Sequence, residues 1–331
     1  IIIALITYCI APIVATQPSW FYVMVVVTVL LFTELKHTFT ELAQRMKNDE
    51  MITLAKFLAI SGIILPMLPN ENLIPDINLT PYTVWLATVV VSGISYLSYL
   101  LRRYVFHESG ILVSGIIGGL YSSTATISVL ARKSRKAPAQ EAPEYAAAML
   151  LAVSMMFLRF LILIGIFSKA ILAEIYPYLL IMSFVTAGVA WYLHRKRKSI
   201  PVTGEEAEEE DSSNPLEFKV ALIFAVLFVI FTIVTHYTLI YTGTGGLNVL
   251  SFIAGLSDIT PFILNLLQGS GVAVVVVTAC CMQAIVSNIA VNMCYALFFA
   301  GGKSPLRRWV LRGFGGVIAV NVCLLLFFYL L

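Results

Sequence analysis

The sequence predicts an all-α polytopic membrane protein: an N-terminal helical unit, then an inverted repeat whose two copies each hold three spanning helices and one re-entrant hairpin. Three observations lead there. Of 331 residues, 60% are hydrophobic and 12% charged, with a mean hydropathy of +0.92, a balance foreign to ordinary soluble domains. Residues 78–132 and 214–268 repeat one another without a gap, Asn78 aligning with Asn214, Gly119 with Gly255 and Thr124 with Thr260, an offset of 136. Finally, Lys and Arg collect on one face of a membrane only if the centre of each copy turns back.

In chain order, residues 1–69 form the N-terminal unit. Its first apolar stretch, 1–15, falls short of the roughly 20 residues needed to span and has no initiator Met, so the sequence is expected to begin inside a span of a longer natural protein. Apolar stretches at 19–33 and 51–69 flank residues 35–47. There Leu35, Phe39, Leu42 and Met46 recur at helical spacing among Lys36, Glu41, Arg45 and Lys47, the pattern of an interfacial amphipathic helix. Repeat 1 occupies 70–194, with apolar stretches at 82–101, 111–131, 142–168 and 172–194. Residues 195–213 are polar and charged, unable to bury a core and read as a flexible linker. Repeat 2 occupies 214–331, with stretches at 217–238, 246–268, 272–300 and 306–331. So many apolar segments, so deep in the chain, exclude signal peptides.

Basic residues accumulate in cytoplasmic loops, which decides what the central segments do. If every stretch spans, eleven Lys and Arg fall on one side and nine on the other, with no bias. If hairpins at 110–132 and 246–268 enter and turn back, nineteen share one face, Lys169 alone lies opposite, and Arg159 is left within the membrane. Residues 111–119 and 125–132 each make roughly 14 Å of helix, half of an apolar layer of about 30 Å, so the turn falls at mid-membrane. Three spans per copy then reverse the second copy relative to the first, the inverted-repeat design of transporters.

Backbone exposed at that depth is tolerated only where protein buries it or water reaches it. Gly118, Gly119 and Gly255 allow a tight turn with close approach. Ser122, Ser123 and Thr124, and in the second copy Ser257, Asp258 and Thr260, are natural N-caps for the returning half-helices, with Pro261 at a first helical position. Capping is the plain reading of these hydroxyls, and ion or substrate binding, joined by Thr126, is the functional one.

Asp258 is the one carboxylate expected near the midplane, where an ionised side chain costs about 2.5–3.5 kcal/mol even on lenient scales. Ser or Thr could cap at lower cost, so Asp258 points to ion coordination, proton exchange or pairing with a buried cation. Its repeat counterpart is the neutral Ser122. Arg159, the one basic residue deep in a span, could pair with Asp258, contact hairpin carbonyls or bind an anion. In 272–300, Gln283 and Ser287 share one helix face and Asn288 and Asn292 another. These side chains either line a pathway or hold helices together.

All five cysteines, Cys9, Cys280, Cys281, Cys294 and Cys323, lie in apolar stretches, which suits packing rather than a disulfide framework. Whether the polar cluster holds a metal is open, and no cofactor is implied. The net charge of +3 gives no ground for a nucleic-acid partner. The expected partners are the lipid bilayer and a small ion or charged solute, with a homodimer open. No nucleotide loop, HExxH or GxSxG motif occurs, so an enzyme is not expected.

The segments LPMLP (65–69), SGISYLSYLLRR (92–103), GIIGGLYSSTATISVLAR (115–132), MFLR (156–159), NPLEFKVAL (214–222), GLSDIT (255–260) and SNIAVN (287–292) resemble the multi-pass domain at the C-terminus of MgtC/SapB-type membrane proteins, over about residues 50–331. The resemblance implies a bacterial inner-membrane protein, of a kind often labelled as magnesium transport, with residues 1–50 the tail of the MgtC-like portion. That family often carries an acidic residue where Thr260 stands and Lys where Asn292 stands, so an opposite-charge pair is here replaced by two neutral side chains. The functional expectation is a transporter or channel for a small ion or charged solute, with its site at the midplane between the hairpin tips. The alternative is a non-transporting regulator or scaffold of the MgtC type.

Overall fold

The computed structural model describes residues 8, 26–27, 48–74, 77, 79–101, 110–196, 218–268, 272–302 and 304–330. The amphipathic segment 35–47, nearly all of the stretches 1–15 and 19–33, and most of the 195–213 linker lie outside the described residues. The chain forms two compact units, Ile1–Ala59 and Ile60–Leu331. In the first, α1 runs over Asn48–Ala59.

The second unit opens with a π-helical stretch Ile60–Ile64 and one α-turn Leu65–Met67. There follow α2 (Pro81–Leu100), α3 (Ile111–Lys133), α4 (Ala142–Phe167) and α5 (Lys169–His194), then α6 (Phe218–Ala254), α7 (Ile259–Leu267), α8 (Val274–Ala300) and α9 (Leu306–Leu330). Among the described residues there is no strand, only an isolated bridge between Ile74 and Ile77. Among the described residues seven helices are long and apolar enough to cross a membrane, so this is a multi-pass membrane protein whose apolar outer faces suit a lipid bilayer.

Local chemistry sets the helix ends. Thr80 and Thr83 form a reciprocal capping box at the start of α2, with Pro81 at the first helical position, where its missing N–H costs nothing. A single residue, Ser168, separates α4 from α5 and caps α5 through the Ile171 N–H, so these helices are antiparallel neighbours. The hydroxyls of Ser154 and Ser183 meet across them at 3.0 Å.

The sequence repeat is a repeat of elements. Adding 136 carries α2 onto the first part of α6, α4 onto α8 and α5 onto α9 within a few residues, and α3 onto the end of α6 plus α7. The contacts obey the same exchange: α8 touches α3 and α5, while α4 touches α7 and α9. Pairs related by the offset also meet directly, α2 with α6 and α5 with α9. The α5–α9 contact includes Tyr178, whose hydroxyl donates to Asn321 at 2.6 Å.

Two helices are broken. In α3, Ser122 is extended (φ −157°, ψ 111°). A methyl group added at Gly118 would lie 2.5 Å from the Thr126 hydroxyl, although residues eight apart in a straight helix are separated by about 12 Å. The chain therefore bends sharply at Ser122. In α6 the break is Gly243 (φ 64°, ψ −154°), a conformation that glycine alone adopts readily. Here Gly246 lies against Thr238 and Thr242. The sequence pattern interrupts this segment over 239–245; the helix instead continues to a break at Gly243 alone.

In each copy the half-helix that leads into the cavity turn packs on a long helix of its own repeat. Gly115 lies on the Ala148 backbone and Gly119 on that of Ala152. In the second copy, Cys280 reaches Asn248, Ser287 donates to the Phe252 carbonyl, and Asn288 donates to that of Gly255. In both copies the two sets of residue numbers rise together. Small residues permit the approach: Ala146, Ala147, Ala148 and Ala152 on α4 are all fully buried, and glycine against alanine is how membrane helices bring backbones close.

Candidate functional site

The interruptions in the two copies meet at one cavity of about 370 Å³. Tyr121–Thr124 of α3 and Leu256–Thr260, running from the link after α6 into the first turn of α7, both line it. The walls are Met156 and Arg159 of α4, Asn288, Val291 and Tyr295 of α8, and side chains from α2 and the first part of α6.

Each turn opens the backbone and then recloses it. Ser122 caps the returning half of α3 by accepting the Ala125 N–H at 3.3 Å. Asp258 does the same for α7, accepting the Thr260 N–H at 3.0 Å. Two helix N-termini, whose partial positive charge favours anionic groups, therefore begin at the cavity. The carbonyls ending the preceding half-helices are met by side chains from the long helices. Arg159 donates to the Tyr121 carbonyl at 2.8 Å, and Asn288 donates to those of Gly255 and Ser257, both at 3.3 Å.

The long helices also reach across to the other copy. Arg159 of α4 donates to the Thr260 hydroxyl at 3.3 Å. From α8, Asn292 accepts from the Thr124 hydroxyl at 2.8 Å and donates to Asn288 at 3.0 Å. Thr124 and Thr260 are counterparts at the 136 offset, so each long helix holds the turn of its own copy and the equivalent threonine of the other. Arg159 has its counterpart in Tyr295 and Asn292 in Met156, and both counterparts line the cavity. The frame is symmetric and its chemistry is not.

The charge distribution is specific. Arg159 and Asp258 are the ionisable acid and base on the cavity wall, yet no ion pair within 4.0 Å joins them. Thr260 stands between them, its hydroxyl accepting from Arg159 and its N–H donating to Asp258. The Arg159 Nε hydrogen is buried and has no partner among the described residues. Among those residues no group of three or more His, Cys, Asp or Glu is placed to hold a metal ion.

Of the residues singled out in the sequence, Ser122, Ser123, Thr124, Arg159, Ser257, Asp258, Thr260 and Asn288 line the cavity, and Asn292 stands one hydrogen bond behind it. Thr126 is buried against Gly118 and is not on the wall. Gln283 turns away to the Tyr329 hydroxyl. Ser92 and Ser95 of α2 and Tyr295 were not singled out, although they line the cavity. Signals for them existed: the two serines are three residues apart on one helix face, and Tyr295 is the repeat counterpart of Arg159.

A family described as a domain of unknown function (DUF4010) matches residues 89–300, more than half of the chain. This chain belongs to the DUF4010 family. All the cavity-lining residues, from Val91 to Tyr295, fall inside the DUF4010 match. A relative from Aquifex aeolicus (strain VF5), described as an uncharacterized protein, is 26% identical over 201 residues, covering 58% of this chain and 84% of its own. No solved structure matches the chain.

Proposed function

We propose that this DUF4010 protein is a transporter or channel, and not an enzyme, that moves a small ion or charged solute through the cavity between two re-entrant hairpins. The observation that carries the proposal is the convergence of the Ser122 turn of α3 and the Leu256–Asp258 turn before α7 on one cavity containing a carboxylate and a guanidinium. In the hydrocarbon layer such groups are expensive, and they mark substrate or ion paths. Water-lined cavities are also where broken helices are tolerated in membranes.

The order of packing supports the hairpins. Had α3 crossed the membrane and α4 returned alongside, residues later in α3 would meet residues earlier in α4. Instead Gly115 and Gly119 meet Ala148 and Ala152 in rising order, as expected if the first half of α3 runs parallel to α4 and the second half folds back toward its start. The rising contacts of 248–255 with 280–288 support the same reading for the second copy. With three spans per copy the hairpins enter from opposite faces, and rocking of one copy against the other would expose the cavity to each side in turn.

A bacterial inner membrane is the proposed location, supported by the bacterial relative. The likeness to the MgtC/SapB C-terminal domain rests on the sequence motifs, and a regulator of that type is the competing role. A polar cavity with two unpaired charges favours transport, since a scaffold has no use for it.

The test is charge movement in proteoliposomes on a solid-supported membrane, with concentration jumps of NaCl, KCl, MgCl2, organic acids, amines and amino acids. At least one jump should give a protein-dependent signal, and Asp258→Asn should abolish it while the purified variant stays monodisperse with an unchanged melting temperature. Asn keeps the helix cap, so folding is expected to survive. A signal identical in the variant removes Asp258 from the mechanism.

A further inference from the structure

The chemistry of the cavity narrows the substrate class. We infer that the cavity binds a small zwitterion carrying one carboxylate and one ammonium, of the neutral α-amino acid type, with the carboxylate on Arg159 and the ammonium on Asp258. This inference rests on the transport reading above.

First, the wall presents one positive and one negative group, and they are not bonded to each other. Opposite charges on one cavity wall attract each other, and the guanidinium is engaged elsewhere, by Thr260 and the Tyr121 carbonyl. The guanidinium spends two hydrogen bonds on these neutral oxygens and keeps further N–H groups, of the five it has, for a planar acceptor. Among the described residues the carboxylate bonds only to the backbone N–H of Thr260, and its exposed side chain borders the cavity.

Second, a single ion suits this pair poorly. An anion on Arg159 would sit beside the Asp258 carboxylate, and a cation on Asp258 beside the guanidinium. In the first case the Asp258 carboxylate stays unmatched and repels the ligand, and in the second the Arg159 guanidinium does. A zwitterion matches both and brings no net charge to the middle of the membrane, where net charge is most costly.

Third, the size and the rest of the wall fit. About 370 Å³ is at the small end of ligand sites, which run to about 1,000 Å³, and so suits a small solute rather than a lipid or peptide. Val91, Phe224 and Leu227 also line the cavity and supply apolar surface for a hydrocarbon side chain.

Counterflow of radiolabelled L-alanine and L-leucine into proteoliposomes of the full chain tests this. The competitors are their methyl esters, which keep only the ammonium, and propionate and 4-methylvalerate, which keep only the carboxylate. The expected result is uptake of at least one amino acid, competition by other neutral amino acids, no competition by the esters or the acids, and a loss of at least tenfold in Asp258→Asn. Arg159→Gln should lose as much; where that variant fails to fold, Asp258→Asn alone carries the arm. Equal competition by a singly charged analogue, or flux confined to an inorganic ion and still abolished by Asp258→Asn, overturns the zwitterion and leaves the transporter standing. No protein-dependent flux of any solute overturns both.

Discussion

Replacing Gly119 or Gly255 by alanine should destabilise the protein although each substitution adds only one methyl group. A Cβ at Gly119 would fall on the backbone of Ala152, 2.6 Å from its carbonyl oxygen. At the counterpart Gly255 it would fall 2.7 Å from the Ala284 carbonyl oxygen and against the Ser287 side chain. Backbone atoms cannot rotate aside, so the half-helix must lift off its neighbour. Overpacking of this kind costs about 1–3 kcal/mol, against a helix gain of about 0.5–1 kcal/mol for Gly→Ala. The net expected loss is about 0–2.5 kcal/mol at Gly119 and, with no helix gain at Gly255 just past the end of α6, about 1–3 kcal/mol there, where a factor of ten in the folding equilibrium is about 1.4 kcal/mol. The control is Gly188→Ala in α5, where nothing lies within 4 Å and the helix gain should appear alone. Unfolding in mixed detergent and SDS micelles, followed by tryptophan fluorescence, reads all three variants. Gly119→Ala or Gly255→Ala matching Gly188→Ala in stability would refute the close packing of the turns on α4 and α8.

Thr124→Val and Asn292→Leu should be non-additive, since both remove the 2.8 Å bond between the copies; a coupling of about 0.6–1.7 kcal/mol, the range for hydrogen bonds in membrane proteins, is expected in a double-mutant cycle, and strict additivity would contradict it. Arg159→Lys should fail to restore flux lost in Arg159→Gln, because a compact ammonium cannot reproduce the planar fork that meets the Tyr121 carbonyl and Thr260 together; wild-type flux in the lysine variant would make Arg159 a simple point charge. Scrambling residues 199–213 should leave flux unchanged, and its loss would favour the regulator reading.

How much of this was legible in sequence follows from what apolar surroundings reveal. A polar island such as Gly-Gly-Leu-Tyr-Ser-Ser-Thr stands out in a span, so the segments 118–124 and 254–260 could be marked as interruptions, but not the residue at which the helix breaks: Gly118 and Gly119 are helical and Ser122 is extended. Arg159 stood out as a lone charge. The direction in which a polar face looks was not legible. Gln283 with Ser287, and Asn288 with Asn292, form two equally polar faces of one apolar helix, and only packing shows that Asn288 lines the cavity with Asn292 bonded behind it while Gln283 turns to Tyr329. Ser92 and Ser95 looked like ordinary small residues in a span. The absence of an ion pair between Arg159 and Asp258 depends on Thr260 standing between them, a relation between two turns that no local pattern encodes.

The central claim is that the two hairpins enter from opposite faces. Single cysteines at Gly110 and Gly245, placed in a background with the native cysteines replaced, test it through labelling by a membrane-impermeant maleimide in oriented vesicles. Both positions are exposed, and a side chain at either meets nothing within 4 Å, whereas Gly246 is closed by Thr242. Inverted hairpins predict labelling of the two positions from opposite sides of the membrane. Labelling of both from the same side would mean that the central segments cross and the copies run parallel, and would contradict the account.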